Sequence, residues 1–345
     1  MTAGEVRAED RFDVVAVHAW LKSTMDIGDE RPRVRQFPGG ASNLTYLLTY
    51  PDRELVLRRP PASRKAVSAH DMRREYLVQQ RLKPVYPLVP EVYGLCRDPA
   101  VIGADFYVMQ RIQGTILRRD LPAGMTLSER QAHELSTALV DRLVDLHGVD
   151  PEAAGLADLG RGAGYVGRQV RGWTARYSAA RTGNAPDFAA VTTWLAANRP
   201  EDVATVVIHN DWRLDNVVLD AELAVVGVLD WEMATLGDPL MDLAGALAYW
   251  PQADDDAVFR ELRRQPTHLP GMLTRAEVIA RYREHTGLAC ADWDFYEVFG
   301  LFRLAAIAQQ IYYRYHHGQT GNPAFADFRR LVEYLESRCH TVIGR

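Results

Sequence analysis

The spacing of apolar residues changes near residue 110 of this 345-residue chain, and that change limits the folds open to it. Before that point, apolar residues occur in short alternating runs separated by Gly- and Pro-containing turns, as is typical of β-strands. Beyond it they recur with the helical period. The pattern therefore predicts an α+β protein with two lobes: a small antiparallel β lobe and a larger, mainly helical lobe.

The predicted elements give boundaries for these lobes. Residues 1–110 form the β-rich lobe, residues 111–114 a connector, and residues 115–345 the helical lobe. Strands are predicted at Arg33–Phe37, Leu44–Thr49, Glu54–Arg58, Glu91–Cys96 and Phe106–Gln110. In the β lobe, helices are predicted at Asp13–Ser23 and Ser68–Leu82; in the helical lobe, a capping box at Ser128 and Gln131 predicts the first helix. A cleft between two such lobes is a common place for a ligand.

The composition excludes several classes of protein. The formal charge of −5, from 40 basic and 45 acidic residues, argues against a general nucleic-acid binder. The three cysteines, Cys96, Cys290 and Cys339, are too widely spaced for a zinc finger or a disulfide scaffold. We find neither a signal-peptide pattern nor an apolar run of about 18 residues. We therefore expect a cytoplasmic enzyme with neither a nucleic-acid nor a membrane partner; the composition leaves the oligomeric state open.

A polar loop between two apolar runs carries the clearest chemical signal. Residues 209–216, HNDWRLDN, fit the pattern H-x-D-x-x-x-x-N. In this spacing Asp211 can meet an acceptor hydroxyl, while the amide oxygen of Asn216 turns back toward a metal ion. Asp230 closes the next apolar run and can reach the same ion, because Mg²⁺ prefers oxygen ligands. The pattern predicts a catalytic Asp211 with Asn216 and Asp230 as metal ligands, and it favours a loop-supporting role for His209.

The β lobe is predicted to hold a nucleotide. The turn at residues 38–43 has paired glycines, which let backbone amides approach phosphate oxygens, although it lacks the Gly-Lys-Ser/Thr of a Walker A loop. The candidate ligands in this turn are Gly39, Gly40, Ser42 and Asn43. A cation is expected on a neighbouring strand, where Arg58 lies, with Glu75 of the following helix to orient it. Strand alternation places Arg59 on the opposite face.

Two further groups complete the predicted nucleotide and phosphate contacts. Backbone groups of Gln110 and Ile112, at the connector, are candidates for hydrogen bonds to adenine, and Met109 borders that pocket. Arg213 follows Asp211 by two residues, where a cation can offset charge on a transferring phosphoryl group. The alternative for Arg213 is a salt bridge to Asp215 or Asp220.

Six stretches carry a resemblance to a known family: GGASNLTYLL, LVLRRPP, MRREYLVQQRL, VIGADFYVMQRIQG, HNDWRLDN and VLDWEMATLGDPLMDLA. Through them the chain resembles the aminoglycoside phosphotransferase (choline kinase-like) superfamily, which has a protein-kinase-like fold. It is most similar to the branch found as the kinase domain of some acyl-CoA dehydrogenase fusion proteins. These stretches run from Gly39 to Ala244, about three fifths of the chain.

The resemblance implies phosphorylation of a small-molecule hydroxyl with ATP and Mg²⁺ as cofactors. It implies the same roles for Asp211, Asn216 and Asp230, and a phosphate clamp formed by Arg58 and Glu75. Many relatives have lysine in place of Arg58, although the most similar branch also has arginine. Glycine is frequent in place of Asn210. Asp242 fits the family pattern as a structural residue that holds backbone groups near the polar loop.

The acceptor is predicted from local charge. Residues 161–181 contain five arginines and no acidic residue, which favours an anionic acceptor such as a hydroxyacyl-CoA at Arg168 and Arg171. The alternative is a solvated basic face that pairs with the acidic residues 254–256. Trp212 and Glu232 are further candidates for substrate contact. Other functions left open are an aminoglycoside-type antibiotic kinase, an inert nucleotide-binding module, and a protein kinase, which the short segment after Asp230 disfavours.

Overall fold

A computed structural model describes residues 3–38, 43–61, 71–289 and 293–345 of the chain. The chain forms two compact units, each assembled from two segments of sequence. The first unit comprises Met1–Ile116 and Val217–Glu232, and the second comprises Leu117–Asn216 and Met233–Arg345.

Short strands and longer helices alternate along the described chain. The strands are β1 (Arg33–Gln36), β2 (Leu44–Thr49), β3 (Glu54–Arg59), β4 (Val92–Cys96), β5 (Phe106–Gln110), β6 (Val206–Ile208), β7 (Val217–Leu219), β8 (Val225–Val228) and β9 (Thr235–Gly237). The helices are α1 (Val14–Thr24), α2 (Met72–Leu82), α3 (Pro99–Ile102), α4 (Glu129–His147), α5 (Tyr165–Ala180), α6 (Ala189–Ala197), α7 (Pro239–Leu247), α8 (Ala257–Glu261), α9 (Arg275–Thr286), α10 (Trp293–His316) and α11 (Phe328–Ile343).

The first unit is built on an antiparallel sheet of five strands in the order β1-β2-β3-β5-β4. All five strands that the sequence predicts are present. The two faces of β3 bury different clusters: Leu55 and Leu57 pack with α1 on one face, and Val56 packs beside α2 on the other. Because side chains alternate along a strand, Arg58 shares the face of Val56.

Arg59 therefore lies on the face opposite Arg58, as predicted. Its guanidinium is buried near the rings of Phe12 and Tyr46, and it donates a hydrogen bond of 2.7 Å to the backbone carbonyl of Asp10. These contacts attach the segment before α1 to the sheet. The neighbouring arginines thus have separate roles, because only Arg58 is on the face that carries Glu75.

The hairpin of β7 and β8 belongs to the first unit, which differs from the predicted boundary near residues 111–114. Thr115 and Leu219 exchange two backbone hydrogen bonds of 2.7 and 2.8 Å, and the Val228 amide donates to the Leu88 carbonyl. The connector itself carries Gly114 at φ +149°, where a Cβ would meet the Leu219 carbonyl oxygen. These contacts join residues about a hundred positions apart, which no local pattern reveals.

The second unit is mainly helical, as predicted. A capping box formed by Ser128 and Gln131 begins α4, and the strands β6 and β9 form a short antiparallel pair. Every residue of α7 is buried, and α10 packs directly on it. The short elements α3, α8 and β9 were not predicted, because each spans too few residues to show a period.

Close packing of α7 and α10 yields a test of the fold. A Cβ on Gly300 would lie 2.4 Å from the Ala244 carbonyl oxygen, so the two backbones are in contact there. We expect Gly300→Ala to lower the free energy of unfolding by about 1–3 kcal/mol, because the helices must separate. Urea denaturation measures this change.

The matched control is Gly172→Ala in α5. The nearest neighbour of a Cβ there is the flexible end of Arg176, at 3.6 Å. Alanine is the better helix former by roughly 0.5–1 kcal/mol, so this variant should be neutral or slightly stabilised. Equal urea midpoints for the two variants would contradict the close approach of α7 and α10.

Candidate active site

A buried arginine on β3 interacts with three carboxylates of the first unit. Arg58 Nη1 lies 2.8 Å from Glu75 Oε1, and Nη2 lies 3.1 Å from Asp230 Oδ1 and 3.9 Å from Glu232 Oε2. Burial alone would lower the pKa of the Arg58 guanidinium, but the carboxylates outweigh it and raise that pKa well above its usual value. Arg58 is thus a permanent cation, and the expected pair with Glu75 is formed.

Glu232 is held by two other elements of the same unit. Asn43 Nδ2 donates a 3.0 Å hydrogen bond to Glu232 Oε2, and Arg74 of α2 donates to the Glu232 backbone carbonyl at 3.0 Å. Asn43 is almost fully buried. These contacts orient Glu232 toward Arg58 and give Asn43 a structural contact. The other predicted loop ligands, Gly39, Gly40 and Ser42, lie outside the described residues.

Asp230 occupies an unusual backbone conformation directly after β8. Its φ is +67°, in the left-handed region, which Asp tolerates better than most residues because its short side chain can hydrogen-bond locally. One carboxylate oxygen accepts a hydrogen bond from Arg58, and 34% of the Asp230 side chain remains exposed. The residue therefore presents an oxygen to solvent from a rigid position, which suits a ligand for a hard cation.

The predicted adenine contacts follow β5. The Gln110 amide donates to the Glu91 carbonyl at 2.7 Å, and the Ile112 carbonyl accepts from Arg111 at 2.6 Å. Met109 packs in the core cluster with Val56. The Gln110 amide and the Ile112 carbonyl are therefore already hydrogen-bonded within the first unit.

In the second unit, the 209–216 loop follows β6 and orients Asp211 through its neighbours. Arg213 Nη2 lies 2.9 Å from Asp211 Oδ2, and Asn216 Nδ2 donates to the Asp211 backbone carbonyl at 2.8 Å and to Oδ2 at 2.9 Å. Burial alone would raise the pKa of Asp211, but Arg213 outweighs it, and the net pKa is below its ordinary value. Asp211 is thus an ionised carboxylate with a defined orientation.

A buried carboxylate on α7 holds the backbone of this loop. Asp242 accepts 2.8 Å hydrogen bonds from the backbone amides of His209 and Asn210, and His147 Nε2 lies 3.2 Å from its Oδ2. The Nδ1 atom of His209 in turn accepts from the Asp211 amide at 3.2 Å. Asp242 therefore holds backbone groups, and His209 supports the loop, as the sequence suggested.

Two side chains missed by the sequence analysis also hold the loop. Asn210 has φ +66°, and its side-chain oxygen accepts from the Tyr165 hydroxyl at 3.0 Å. Arg303 of α10 donates to the Asn210 carbonyl and packs over the ring of Trp173. Neither Tyr165 nor Arg303 stands in a recognisable motif, and each lies more than forty residues from the loop.

The structure shows the salt bridge to Asp215 that was the alternative for Arg213, while its contact with a phosphoryl group stays a prediction. Its Nε lies 3.4 Å from Asp215 Oδ1, in addition to the contact with Asp211, and its guanidinium packs over Tyr249. Trp212 is buried, with its ring edge-on to His209. Trp212 therefore packs the loop, and little of its surface remains for a substrate.

The arginines of α5 differ in their surroundings. Arg168 donates to the carbonyls of Gly162 and Ala163, and so holds the turn before the helix. Exposed Arg171 lies beside Arg199, with both guanidinium groups over Gly167. The acidic residue Asp255 pairs instead with Arg275 and Arg338. Within the part of the chain that the structure describes, α5 forms no ion pair with residues 254–256.

The described residues contain neither a cluster of metal-binding side chains nor a helix that could span a membrane. Among them, no group of three or more His, Cys, Asp or Glu side chains could hold a metal ion. A Mg²⁺ ion bound through one or two carboxylates and phosphate oxygens does not need such a cluster. No described helix is both long and apolar enough to span a bilayer.

Comparison with known proteins identifies the family. A family model described as the phosphotransferase enzyme family (APH) matches residues 33–283, which include Arg58, Asp211 and Asp230. The chain belongs to this family. Acyl-CoA dehydrogenase family member 10 from Mus musculus is a relative that is 35% identical over 324 residues. That alignment covers 93% of this chain but 30% of the mouse protein, so the chain spans less than a third of that relative.

Several solved structures share the fold of this chain. A protein from Ralstonia eutropha JMP134, named after the aminoglycoside phosphotransferases, is 31% identical, with a TM-score of 0.81 over 96% of this chain and 98% of its own. Choline kinase from Cryptosporidium parvum Iowa II is 11% identical, with a TM-score of 0.62 over 96% of each chain. A ternary complex of aminoglycoside phosphotransferase APH(4)-Ia with AMP-PNP and hygromycin B is 15% identical, with a TM-score of 0.59 over 95% of this chain and 97% of its own. The predicted resemblance and the protein-kinase-like α+β fold are confirmed.

The buried arginine of the first unit generates a stability prediction. Arg58→Met leaves the buried Glu75 carboxylate without its cation, so we expect a loss of about 3–5 kcal/mol in the free energy of unfolding. Arg58→Met combined with Glu75→Leu should recover most of that loss, because apolar residues of similar volume often replace a buried ion pair without cost. Urea denaturation of both variants measures the difference.

The control is Arg53→Met, which removes an exposed pair with Asp52 at the start of the same strand. Exposed ion pairs contribute about 0–1 kcal/mol, so this variant should unfold close to the wild type. If Arg58→Met were as stable as Arg53→Met, the buried pair would not have the role assigned to it.

Proposed function

We propose that this chain is an ATP-dependent phosphotransferase that moves the γ-phosphoryl group to a hydroxyl of a small molecule. Its membership of the phosphotransferase family and its fold support a kinase-like function. The observation that carries the proposal is the state of Asp211, an ionised carboxylate oriented by Arg213 and Asn216 on a loop held by Asp242. A group in this state is suited to orient a hydroxyl and accept its proton.

In the proposed step, Asp211 aligns the acceptor hydroxyl for in-line attack and takes its proton late in the reaction. Phosphoryl transfer depends mainly on positioning and on neutralising charge, so rigid support of this carboxylate matters more than its basicity. Arg213 already neutralises part of the charge on Asp211 and can also contact the transferring group. A fixed loop backbone keeps these side chains aligned throughout turnover.

The residues present fit a Mg²⁺ ion. Asn216 uses its Nδ2 in hydrogen bonds to Asp211, which leaves the amide oxygen Oδ1 as its ligand atom. Asp230 offers a partly exposed carboxylate oxygen. When bound, Mg²⁺ would neutralise charge on the nucleotide phosphates. Asn216 and Asp230 would hold the ion, and Asp211 would keep its place beside the acceptor.

The first unit is proposed to bind the nucleotide. A structural neighbour carries AMP-PNP, which supports ATP as the phosphoryl donor for the same fold. Arg58, kept charged by Glu75, would contact the phosphates in place of the lysine found in many relatives. Its fork-shaped guanidinium can bind phosphate oxygens in pairs, so the substitution preserves the charge and alters the contact geometry.

Removing the proposed catalytic carboxylate gives a direct test. We expect Asp211→Ala to lower kcat by about 10²–10⁴-fold, the usual contribution of a general base, while the affinity for ATP is retained. The activity is found first by an ATP-consumption screen of hydroxylated metabolites that includes acyl-CoAs and aminoglycosides. Asp230→Ala should abolish turnover in the same assay because it removes a metal ligand.

Asp145→Ala is the matched control, because this aspartate is half exposed on α4 and pairs with Arg142. It should keep full activity. Substantial turnover by Asp211→Ala would refute the proposed mechanism. Tight ATP binding without turnover of any acceptor would favour the inert nucleotide-binding module instead.

For the acceptor we propose a small anionic molecule with a hydroxyl group, such as a hydroxyacyl-CoA. The guanidinium groups of two exposed arginines, Arg171 and Arg199, both lie near Gly167, and this local concentration of positive charge suits an anionic group. The wholly basic character of residues 161–181 supports the same polarity. An aminoglycoside is a polycation and would call for the opposite charge.

Charge removal on α5 tests this polarity. We expect Arg171→Ala to raise the KM for the true acceptor about tenfold, because a charge-assisted hydrogen bond contributes roughly 1.5–3 kcal/mol. The KM for ATP should not change. Arg168→Ala should have a similar effect, to which loss of the turn before α5 would also contribute.

Arg130→Ala, on an exposed face of α4, is the control for a change in net charge alone. If the acceptor KM of Arg171→Ala equals that of Arg130→Ala, the anionic acceptor site is not on α5. The screen itself would then decide between anionic and cationic acceptors.

A further inference from the structure

A cavity of about 320 Å³ lies within the second unit, and none of the roles proposed above uses it. It is bounded by the helices α7, α9, α10 and α11, with Phe259 of α8 at one side. Its volume falls in the range of roughly 300–1,000 Å³ that is typical of small-molecule sites. The cavity has one apolar side and one charged side.

The apolar side is formed by small and aliphatic residues. Its members are Ala244, Leu247, Ala248, Ile279 and Leu301. The two alanines, one turn apart on α7, leave the room that larger side chains would fill. Trp293 adds an aromatic surface at the start of α10. A hydrocarbon or aromatic group placed here would be removed from water, at a gain of about 25 cal/mol per Å² of apolar surface.

The charged side carries three arginines and one glutamate: Arg275, Arg338, Arg345 and Glu297. Buried Asp255 pairs with Arg275 and Arg338, and Glu297 lies 3.3 Å from both Arg338 and Arg345. Arg275 contacts both Asp255 oxygens at 2.7 Å, whereas Arg338 contacts Asp255 and Glu297 at the longer distance of 3.3 Å. A guanidinium has five donors in a fixed fork, so Arg338 is held in position with donor capacity left for an anion.

Helix geometry separates this cavity from the 209–216 loop. On α7, Ala244, Leu247 and Ala248 face the cavity, while Asp242, about half a turn around the helix, faces the loop amides. On α10, Glu297 and Leu301 face the cavity, while Arg303 binds the Asn210 carbonyl. Both helices thus present opposite faces to the loop and to the cavity.

We propose that this cavity is a second binding site, which takes a small amphipathic anion: an apolar body with one carboxylate or phosphate group. The apolar body lies against α7 and Leu301, and the anionic group lies at Arg338 and Arg345. The site is separate from the acceptor site proposed on α5, and it does not depend on the identity of the acceptor.

Isothermal titration calorimetry of the full chain tests the proposal with defined probes. Octanoate and octyl phosphate carry both parts of the proposed ligand and distinguish the two anionic groups. Acetate carries the head group alone, and 1-octanol carries the apolar chain with no charge. We expect saturable binding of at least one octyl anion, about tenfold or more tighter than that of acetate or 1-octanol, which corresponds to about 1.4 kcal/mol.

Ala276→Trp locates the binding. Ala276 is an exposed residue of α9 that lines the cavity, so a bulky side chain there blocks it without disturbing the core. Ala190→Trp places the same side chain at an exposed position of α6, a helix that contributes no residue to the cavity. We expect the first variant to bind the octyl anion about tenfold more weakly and the second to bind as the wild type does.

Charge removal tests the polarity of the site. Arg345 is half exposed, and Arg345→Gln should lower the affinity for the octyl anion and leave the affinity for 1-octanol unchanged. The proposal is overturned if neither octyl anion binds saturably, or if Ala276→Trp binds it as well as Ala190→Trp does. Equal binding of 1-octanol and octanoate would overturn the assignment of an anionic ligand.

Discussion

The second unit depends on one buried carboxylate. Asp242 has almost no exposure, and its desolvation is offset because both oxygens accept backbone amides and His147 adds a further contact. Burial alone would raise the pKa of Asp242, but His147 and the backbone donors outweigh it and lower that pKa. The two amides of the 209–216 loop are thus hydrogen-bonded to a helix that is buried along its whole length. Asp242 thus fixes the loop backbone before Asp211, and Arg213 and Asn216 orient the Asp211 carboxylate itself.

In the first unit a buried cation, Arg58, holds distant segments together, as the buried carboxylate of Asp242 does in the second. Arg58 is a buried cation whose partners come from a helix and from the segment that follows β8, so one guanidinium brings together parts of the chain more than 150 residues apart. Its geometry is that of a fork with two arms, one on Glu75 and one on Asp230. A lysine would supply the charge but could not bridge both carboxylates with defined angles. Arginine at this position therefore has a structural consequence as well as a role in binding phosphate.

Local patterns predicted much of this molecule, and contacts distant in sequence account for what they missed. The strands of the sheet and the capping box of α4 are encoded within a few residues, so alternation and caps were sufficient. Asn43 and Glu232 are 189 positions apart in the sequence, and no local sequence pattern predicts their hydrogen bond. Arg303 had no motif around it for the same reason. The Arg58–Glu75 pair was expected because its partners lie on a strand and the helix that follows it, both of which local patterns predict.

Two of the four described non-glycine residues with a left-handed φ lie beside the proposed chemistry; the other two are Phe188 and Leu223. Asn210 and Asp230 both have left-handed φ values, of +66° and +67°, in a chain where most such positions are glycines. Strain of this kind costs about 1–3 kcal/mol and persists when surrounding contacts over-determine the conformation. At Asn210 those contacts are Tyr165, Arg303 and Asp242, and at Asp230 Arg58 holds the side chain. Glycine at position 210 would relieve the strain but lose the side-chain hydrogen bond to Tyr165. The chain therefore accepts an unfavourable backbone conformation at Asn210, and several side-chain contacts fix the position of the loop in return.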